Sequence, residues 1–254
     1  MRTFESYSMI PKIVHYCWFG RGAKPATVRR CMDSWRRSLP DYRFVEWTEE
    51  TFDIDAYPFA REAYDKGKFA FVADVARLHA LYTQGGVYLD TDVEVLRSFD
   101  PFLGHRAFTG FERGRDITTG VIGAEKGSAW IKELLALYDG KHFVKDDGYL
   151  DLSTNVRLIT DYMASAHGFV PEDSFQEPDG LVTIYPGEYF SPLDPLTRKV
   201  KKTKNTVAVH HYMASWEPRT PVNLFRKAVM RTLGVKAYEK IRAFKLKLFP
   251  KAWR

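Results

Sequence analysis

Apolar positions in this chain change period several times, and the changes divide it into elements. Lys12–Phe19 (KIVHYCWF) is a β-branched and aromatic run closed by Gly20, which predicts a buried first strand. Pro25 suits a helix first turn, and Val28, Cys31, Met32 and Trp35 follow at spacings of three and four. Tyr42–Trp47 reads as a second strand, and Thr48-Glu49-Glu50 as the capped, acidic opening of further helical turns. The next helix is predicted over Phe69–Gln84, ending at a left-handed cap on Gly85-Gly86. Val87-Tyr88-Leu89 is then a short strand running into Asp90-Thr91-Asp92. Further strands are expected at Ala107–Glu112, Thr118–Ala124, Leu181–Tyr185 and Thr206–Tyr212. Helices are expected at Ala129–Tyr138, capped by Ser128, and at Asn155–Ala166. Strands alternating with helices predict an α/β sheet with helices on both faces.

Composition bounds the class. With 254 residues, 45% hydrophobic and 15% aromatic, the chain can bury a full core. Met1–Lys12 lacks a basic segment followed by an apolar stretch, so no secretory signal is expected. Two cysteines, Cys17 and Cys31, are too few for a disulfide framework and fit a reducing, cytoplasmic setting. The net charge of +6 is an average over unlike parts. Residues 219–254 hold 11 basic residues and one acidic one, whereas residues 1–218 hold 27 basic against 31 acidic. The expected organisation is therefore a mildly acidic domain, 1–218, and a basic helical tail, 219–254.

Asp90 and Asp92 are the first chemical candidates. On an extended chain residues i and i+2 share a side, so both carboxylates can face one hard cation such as Mg²⁺ or Mn²⁺. With 18 Asp in the chain, about one such pair arises by chance, and Asp53-Ile54-Asp55 is a second copy. What sets Asp90 and Asp92 apart is their place at the C-terminal end of an apolar strand, where α/β sheets put ligand crevices. Asp74 and Arg77 sit on a helix that is apolar almost all round, so they are expected to be buried. Their spacing allows an internal ion pair, or both can line a pocket shared with Asp90. Trp18, ending the first strand, is either a core residue or a stacking surface for a planar ligand. His210-His211 ends the last body strand, and neighbouring residues there point to opposite faces, so one of the two can face a cleft.

Together these runs carry a resemblance. Ile10–Gly20 (IPKIVHYCWFG), Leu39-Pro40-Asp41-Tyr42 with Glu46-Trp47, Ala73–Leu78 (ADVARL) and Tyr82–Asp92 (YTQGGVYLDTD) resemble glycosyltransferase family 32, the sugar-transferring family with a DXD motif. The similarity runs from about residue 10 to Trp216 and is strongest to bacterial members of capsule or lipopolysaccharide assembly. It implies a GT-A-like nucleotide-binding sheet, Mn²⁺ or Mg²⁺ as cofactor, and transfer with retention of a hexose. The donor would be a nucleotide-sugar, UDP-linked by preference, and the acceptor a glycan or lipid-linked sugar. By that resemblance Trp18 stacks on the base, Tyr88 lines the nucleotide pocket, and Asp74 and Arg77 hold the donor sugar and diphosphate. Asp90 contacts ribose or metal-bound water, and Asp92 ligates the cation directly. His211 is the expected third ligand with His210 as alternate, and Asn155 and Trp216 are expected donor contacts. Relatives often carry Asn in the strand after the DXD, where this chain has Thr118-Thr119-Gly120.

Two other readings compete. Leu89–Val93 (LDTDV) also resembles the nucleophile strand of haloacid-dehalogenase-type phosphatases, but Asp146-Asp147 lacks the apolar strand their second acidic pair requires. The basic tail could serve a nucleic-acid-binding module, yet the acidic body and the lack of a nucleic-acid motif argue against one. Tyr238, Ile241, Phe244, Leu248 and Phe249 instead alternate with Lys236, Lys240, Lys247 and Lys251. Such a pattern suits a helix on an anionic membrane surface, here the inner face, or one packed on the body.

Overall fold

The computed structural model describes residues 10–194 and 197–213. The expected tail helix, the domain boundary at 218 and the expected donor contact Trp216 lie outside the described residues.

The architecture is the expected α/β one. Strand β1 (Ile13–Cys17) leads through helix α1 (Ala26–Ser38) to β2 (Arg43–Trp47), which pairs parallel with β1. Helices α2 (Pro58–Asp65) and α3 (Phe69–Gln84) then carry the chain back to β3 (Gly86–Leu89), parallel to β1 on its other side. After β4 (Val93–Val95) come β5 (Ala107–Glu112), β6 (Asp116–Ile117) and β7 (Val121–Ala124), followed by α4 (Ala129–Ala136), α5 (Asn155–Ala166), β8 (Thr183–Tyr185) and β9 (Ala208–His210). The main sheet runs β2-β1-β3-β7-β5-β6, with β8 also paired to β5, while β4 and β9 form a separate antiparallel pair. Strand β7 is antiparallel to both β3 and β5, so the sheet is mixed.

The sheet has a core on each face. Alternation along β1 sends Val14 and Tyr16 into one cluster with Val28, Met32 and Trp35 of α1. Cys17 enters the opposite cluster with Val75, Leu78 and Leu81 of α3. Because the chain leaves β1 toward β2 and returns to β3, the order reverses between β1 and β3. A sheet of this kind opens its ligand crevice at such a reversal, beyond the strands' C-terminal ends. Trp18 follows β1 there and Asp90 follows β3.

Local details depart from expectation where side chains compete for the backbone. Thr48 opens no helix: its Oγ1 accepts the Glu50 N–H in a tight turn, and α2 starts only at Pro58. Gly85 caps α3 with the positive φ expected of a glycine, +67°, but its ψ of −179° differs from a left-handed helical turn. Gly86 is required by close approach, since a Cβ there would lie 2.6 Å from the Ile13 carbonyl oxygen. Ser128 makes no side-chain cap to α4, whereas the Thr154 side chain accepts the Arg157 N–H at the start of α5. The short β4 and β6 were not expected. Cys17 and Cys31 are buried and unpaired. Among the described residues no helix is long and apolar enough to cross a membrane.

His15 fastens the crevice from below. It is fully buried, its Nε2 lies 2.8 Å from the Gly85 carbonyl oxygen, and its Nδ1 accepts from Trp47 Nε1 at 3.1 Å. That pair of bonds requires a neutral ring. Burial lowers its pKa to about 4, the bond to Gly85 opposing. An unfolded His titrates near 6.5, so below that pH the unfolded chain binds the proton that the folded one refuses. The stability His15 contributes is intact above pH ~6.5 and is lost as pH falls toward ~4, on the order of 3 kcal/mol in all. Urea unfolding of the wild type and His15→Gln from pH 7.5 to 4.5 should therefore show a stability gap that narrows with acidity. A constant gap would contradict this account.

Candidate functional site

Helix α3 is apolar on nearly every face, and Asp74 and Arg77 are buried within it. Burial obliges the guanidinium to find partners, and it finds them in several elements. Nη2 donates to Asp74 Oδ1 at 2.8 Å and Nη1 to the Thr119 carbonyl at 2.7 Å. Nη2 also lies 3.5 Å from Asp90 Oδ1, and the guanidinium sits over the Tyr88 ring at 4.7 Å. The pair is thus an internal ion pair, and its guanidinium also faces Asp90. Burial raises the Asp74 carboxyl to about 7, Arg77 pulling it down and Asp90 pushing it up.

Asp90 is held from two sides. Its Oδ1 accepts the Tyr88 hydroxyl at 2.9 Å, and its N–H donates to the Gly120 carbonyl at 2.9 Å. Tyr88 is itself buried, so it braces Asp90 from inside the sheet; the expectation placed it as a pocket wall. Asp92 is fixed by the segment after β9: Oδ2 accepts the Met213 N–H at 2.7 Å, and its carbonyl accepts the His211 N–H at 3.0 Å.

Of the two imidazoles, the structure brings His210, the alternate, to the carboxylate pair. β9 pairs with β4 so that Val93 faces His210, and alternation turns His210 inward and His211 outward. His210 Nε2 lies 3.3 Å from Asp92 Oδ1 and 3.8 Å from Asp90 Oδ2. His211 Nε2 instead meets Glu94 Oε2 at 3.0 Å. Burial would raise the Asp92 carboxyl, but the charge and hydrogen bond of His210 outweigh it and hold it at about 2. Burial would likewise lower His210, yet Asp92, then Asp90 and Glu112, raise it to about 9. Two carboxylates and an imidazole, with ligand atoms all within 4.8 Å of one another, suit a divalent cation that takes oxygen and nitrogen donors. Without an ion, the proton on His210 supplies the opposing charge. The second Asp-x-Asp, Asp53 and Asp55, belongs to no such cluster among the described residues. Neither does Asp146-Asp147, which lies in an exposed turn, so the phosphatase reading lacks its second acidic pair.

Asn155 is brought in from α5. Its Oδ1 accepts from Thr119 Oγ1 at 3.1 Å, while its buried Nδ2 has no partner. The Asn expected after the DXD is absent, and here a remote Asn lies against that very segment. Trp18 is partly exposed at the end of β1, its Nε1 bonded to the Gly22 carbonyl at 2.6 Å and Lys24 Nζ 5.5 Å from its ring. Sequence reasoning missed Glu112 and Gly120. Glu112 was detectable as a charge closing an otherwise apolar strand. Gly120 was not, because its need is spatial: a Cβ there would lie 2.9 Å from His210 Nδ1 and 3.2 Å from Asp90 Oδ2.

An α/β sheet with paired carboxylates and a His at its crevice defines a candidate nucleotide-diphosphate site. Residues 25–109 match the family described as glycosyltransferase sugar-binding region containing DXD motif. Similar curated proteins include inositol phosphoceramide mannosyltransferase 3 of Schizosaccharomyces pombe, 33% identical over 133 residues, covering 50% of this chain and 36% of that protein. Mannosyl phosphorylinositol ceramide synthase CSH1 of Saccharomyces cerevisiae is 27% identical over 146 residues, covering 54% of this chain and 37% of that protein. The chain thus spans only about a third of the length of these relatives. They are fungal, whereas the sequence suggested bacterial capsule or lipopolysaccharide members. Among solved structures, the PaToxG glycosyltransferase is similar with a TM-score of 0.48 and 16% identity, covering 62% of this chain and 70% of that chain. A galactosyltransferase solved with donor and acceptor sugar analogues has a TM-score of 0.44 and 13% identity, covering 80% of this chain and 88% of that chain.

Removing the central cation tests the geometry independently of any reaction. Arg77→Met would leave Asp74 and the Thr119 carbonyl without their donor and Asp90 without its nearby positive charge. Urea unfolding should show a loss of about 3 kcal/mol. A loss below about 1 kcal/mol would mean the guanidinium holds nothing together.

Proposed function

We propose that the chain is a retaining, divalent-cation-dependent glycosyltransferase that moves a hexose from a nucleotide-sugar to a glycan or lipid-linked acceptor. The observation that carries this reading is the convergence of Asp90, Asp92 and His210 beside the buried Arg77. The relatives' names favour mannose as the hexose and a phosphate-bearing lipid as the acceptor. They widen the donor preference from UDP-sugars to mannose donors, and they favour lipid acceptors over capsular glycans.

The residues divide the work. Trp18 offers its ring to the base at the open end of β1. Asp90, Asp92 and His210 would hold Mn²⁺ or Mg²⁺, which would supply positive charge against the diphosphate leaving group. Arg77 lies beside Asp90 and adds its own field. The unpartnered Nδ2 of Asn155 donates to a donor-sugar hydroxyl, and Asp74 accepts from another. The acceptor oxygen then bonds the anomeric carbon as the carbon–oxygen bond to the diphosphate breaks. Its proton leaves with the diphosphate, so these residues serve mainly to position and to stabilise charge.

A panel of UDP- and GDP-linked hexoses with Mn²⁺, read as free-nucleotide release, tests the class. One donor should be hydrolysed, and Asp92→Ala should lower that rate about 10³-fold or more. No release from any donor would overturn the transferase reading. Undiminished turnover by Asp92→Ala in EDTA would overturn the cation.

The basic segment 219–254 supports a location beside an anionic membrane, where a lipid-linked acceptor would lie. Full-length protein should float with vesicles containing anionic lipid, and a truncation at Glu217 should not. Equal flotation of both forms would end that proposal.

A further inference from the structure

His210 has a second ring nitrogen, and its surroundings are unusual. Nδ1 is buried with no hydrogen-bond partner, and so is Oε2 of Glu112, 3.9 Å away. Buried polar groups are nearly always satisfied, so two orphans facing each other call for a cause. Glu112 closes β5 and is 4% exposed. Its Oε1 lies 3.8 Å from Arg113 Nε, which leaves Oε2 uncommitted. Space at Nδ1 is kept open by Gly120, where any Cβ would come within 2.9 Å. On its other side the imidazole is covered by the Tyr212 ring, with centroids 4.2 Å apart. Separate stretches of chain thus leave Nδ1 one direction of approach, and a carboxylate oxygen occupies it.

We propose that Glu112 is the positioning residue of the cation site: its Oε2 accepts the Nδ1–H of His210, which reserves Nε2 as the ligand atom beside Asp90 and Asp92. This rests on the cation reading above and extends it to a residue that touches neither cation nor substrate. A metal-bound imidazole needs its proton on the nitrogen away from the ion, and an acceptor there fixes both tautomer and ring angle. The separation of 3.9 Å exceeds a hydrogen bond, and a small ring rotation as Nε2 turns to an ion closes it. Without the ion, Nε2 leans on Asp92 and the Glu112 contact stays open.

The test is Mn²⁺ affinity, read from free Mn²⁺ by electron paramagnetic resonance, for wild type, Glu112→Gln, Glu112→Ala and His210→Ala. Melting of each metal-free protein is measured alongside. Glu112→Ala should weaken Mn²⁺ binding about 10- to 100-fold. Glu112→Gln, whose amide oxygen still accepts, should weaken it less and serves as the variant that keeps the shape of the site. Nitrogen NMR with Mg²⁺ should find the proton on Nδ1 in the wild type and a tautomer mixture in Glu112→Ala, which a merely structural role would not produce. Wild-type affinity in both Glu112 variants, with binding lost in His210→Ala, would overturn the proposal and leave the cation site standing. No Mn²⁺ binding by the wild type would overturn both.

Discussion

The guanidinium of Arg77 is the constraint on which the rest of the site depends. It is a charge buried in an apolar helix, and it is tolerable there only because a carboxylate, a carbonyl, a second carboxylate and an aromatic face meet it. Each of those partners comes from a different place: α3 itself, the turn before β7, the loop after β3, and β3. Ordering the guanidinium therefore orders the elements that frame the crevice. Thr119 extends the chain of contacts to Asn155 at the start of α5. A single buried cation connects both halves of the sheet.

The crevice itself follows from chain direction. β1, β2 and β3 are parallel, and the chain turns outward after β1 and comes back for β3. Helices α1 and α3 consequently cover opposite faces, and the gap between them opens where Trp18 and Asp90 emerge. The separate β4–β9 pair then folds His210 over that gap. The candidate site is assembled from the early strands and closed by the last described one.

Much of this was legible in the sequence because it is encoded locally. Period changes located β1, α1, α3 and α5, and the apolar surroundings of Asp74 and Arg77 foretold their burial. Asp90 and Asp92 were distinguished from Asp53 and Asp55 by the apolar strand before them. What escaped was decided by pairing between distant segments. The choice between His210 and His211 depends on the register of β9 against β4, and a shift of one residue would exchange them. Gly120 carries no local signal, since its role is to be absent from a space that other residues share. Thr48 misled because a hydroxyl followed by acids caps a turn as readily as a helix.

The β4–β9 pairing also bears on assembly. Asp90 and Asp92 follow β3, but His210 and the backbone that fixes Asp92 come from a segment more than a hundred residues later. An ion gripped by all of them would join the ends of a very long loop, acting as a clasp on the finished fold. Closing a long loop restricts the unfolded chain, and a ligand taken up only by the folded form shifts the balance further. Cation supply would then govern how long the folded chain survives.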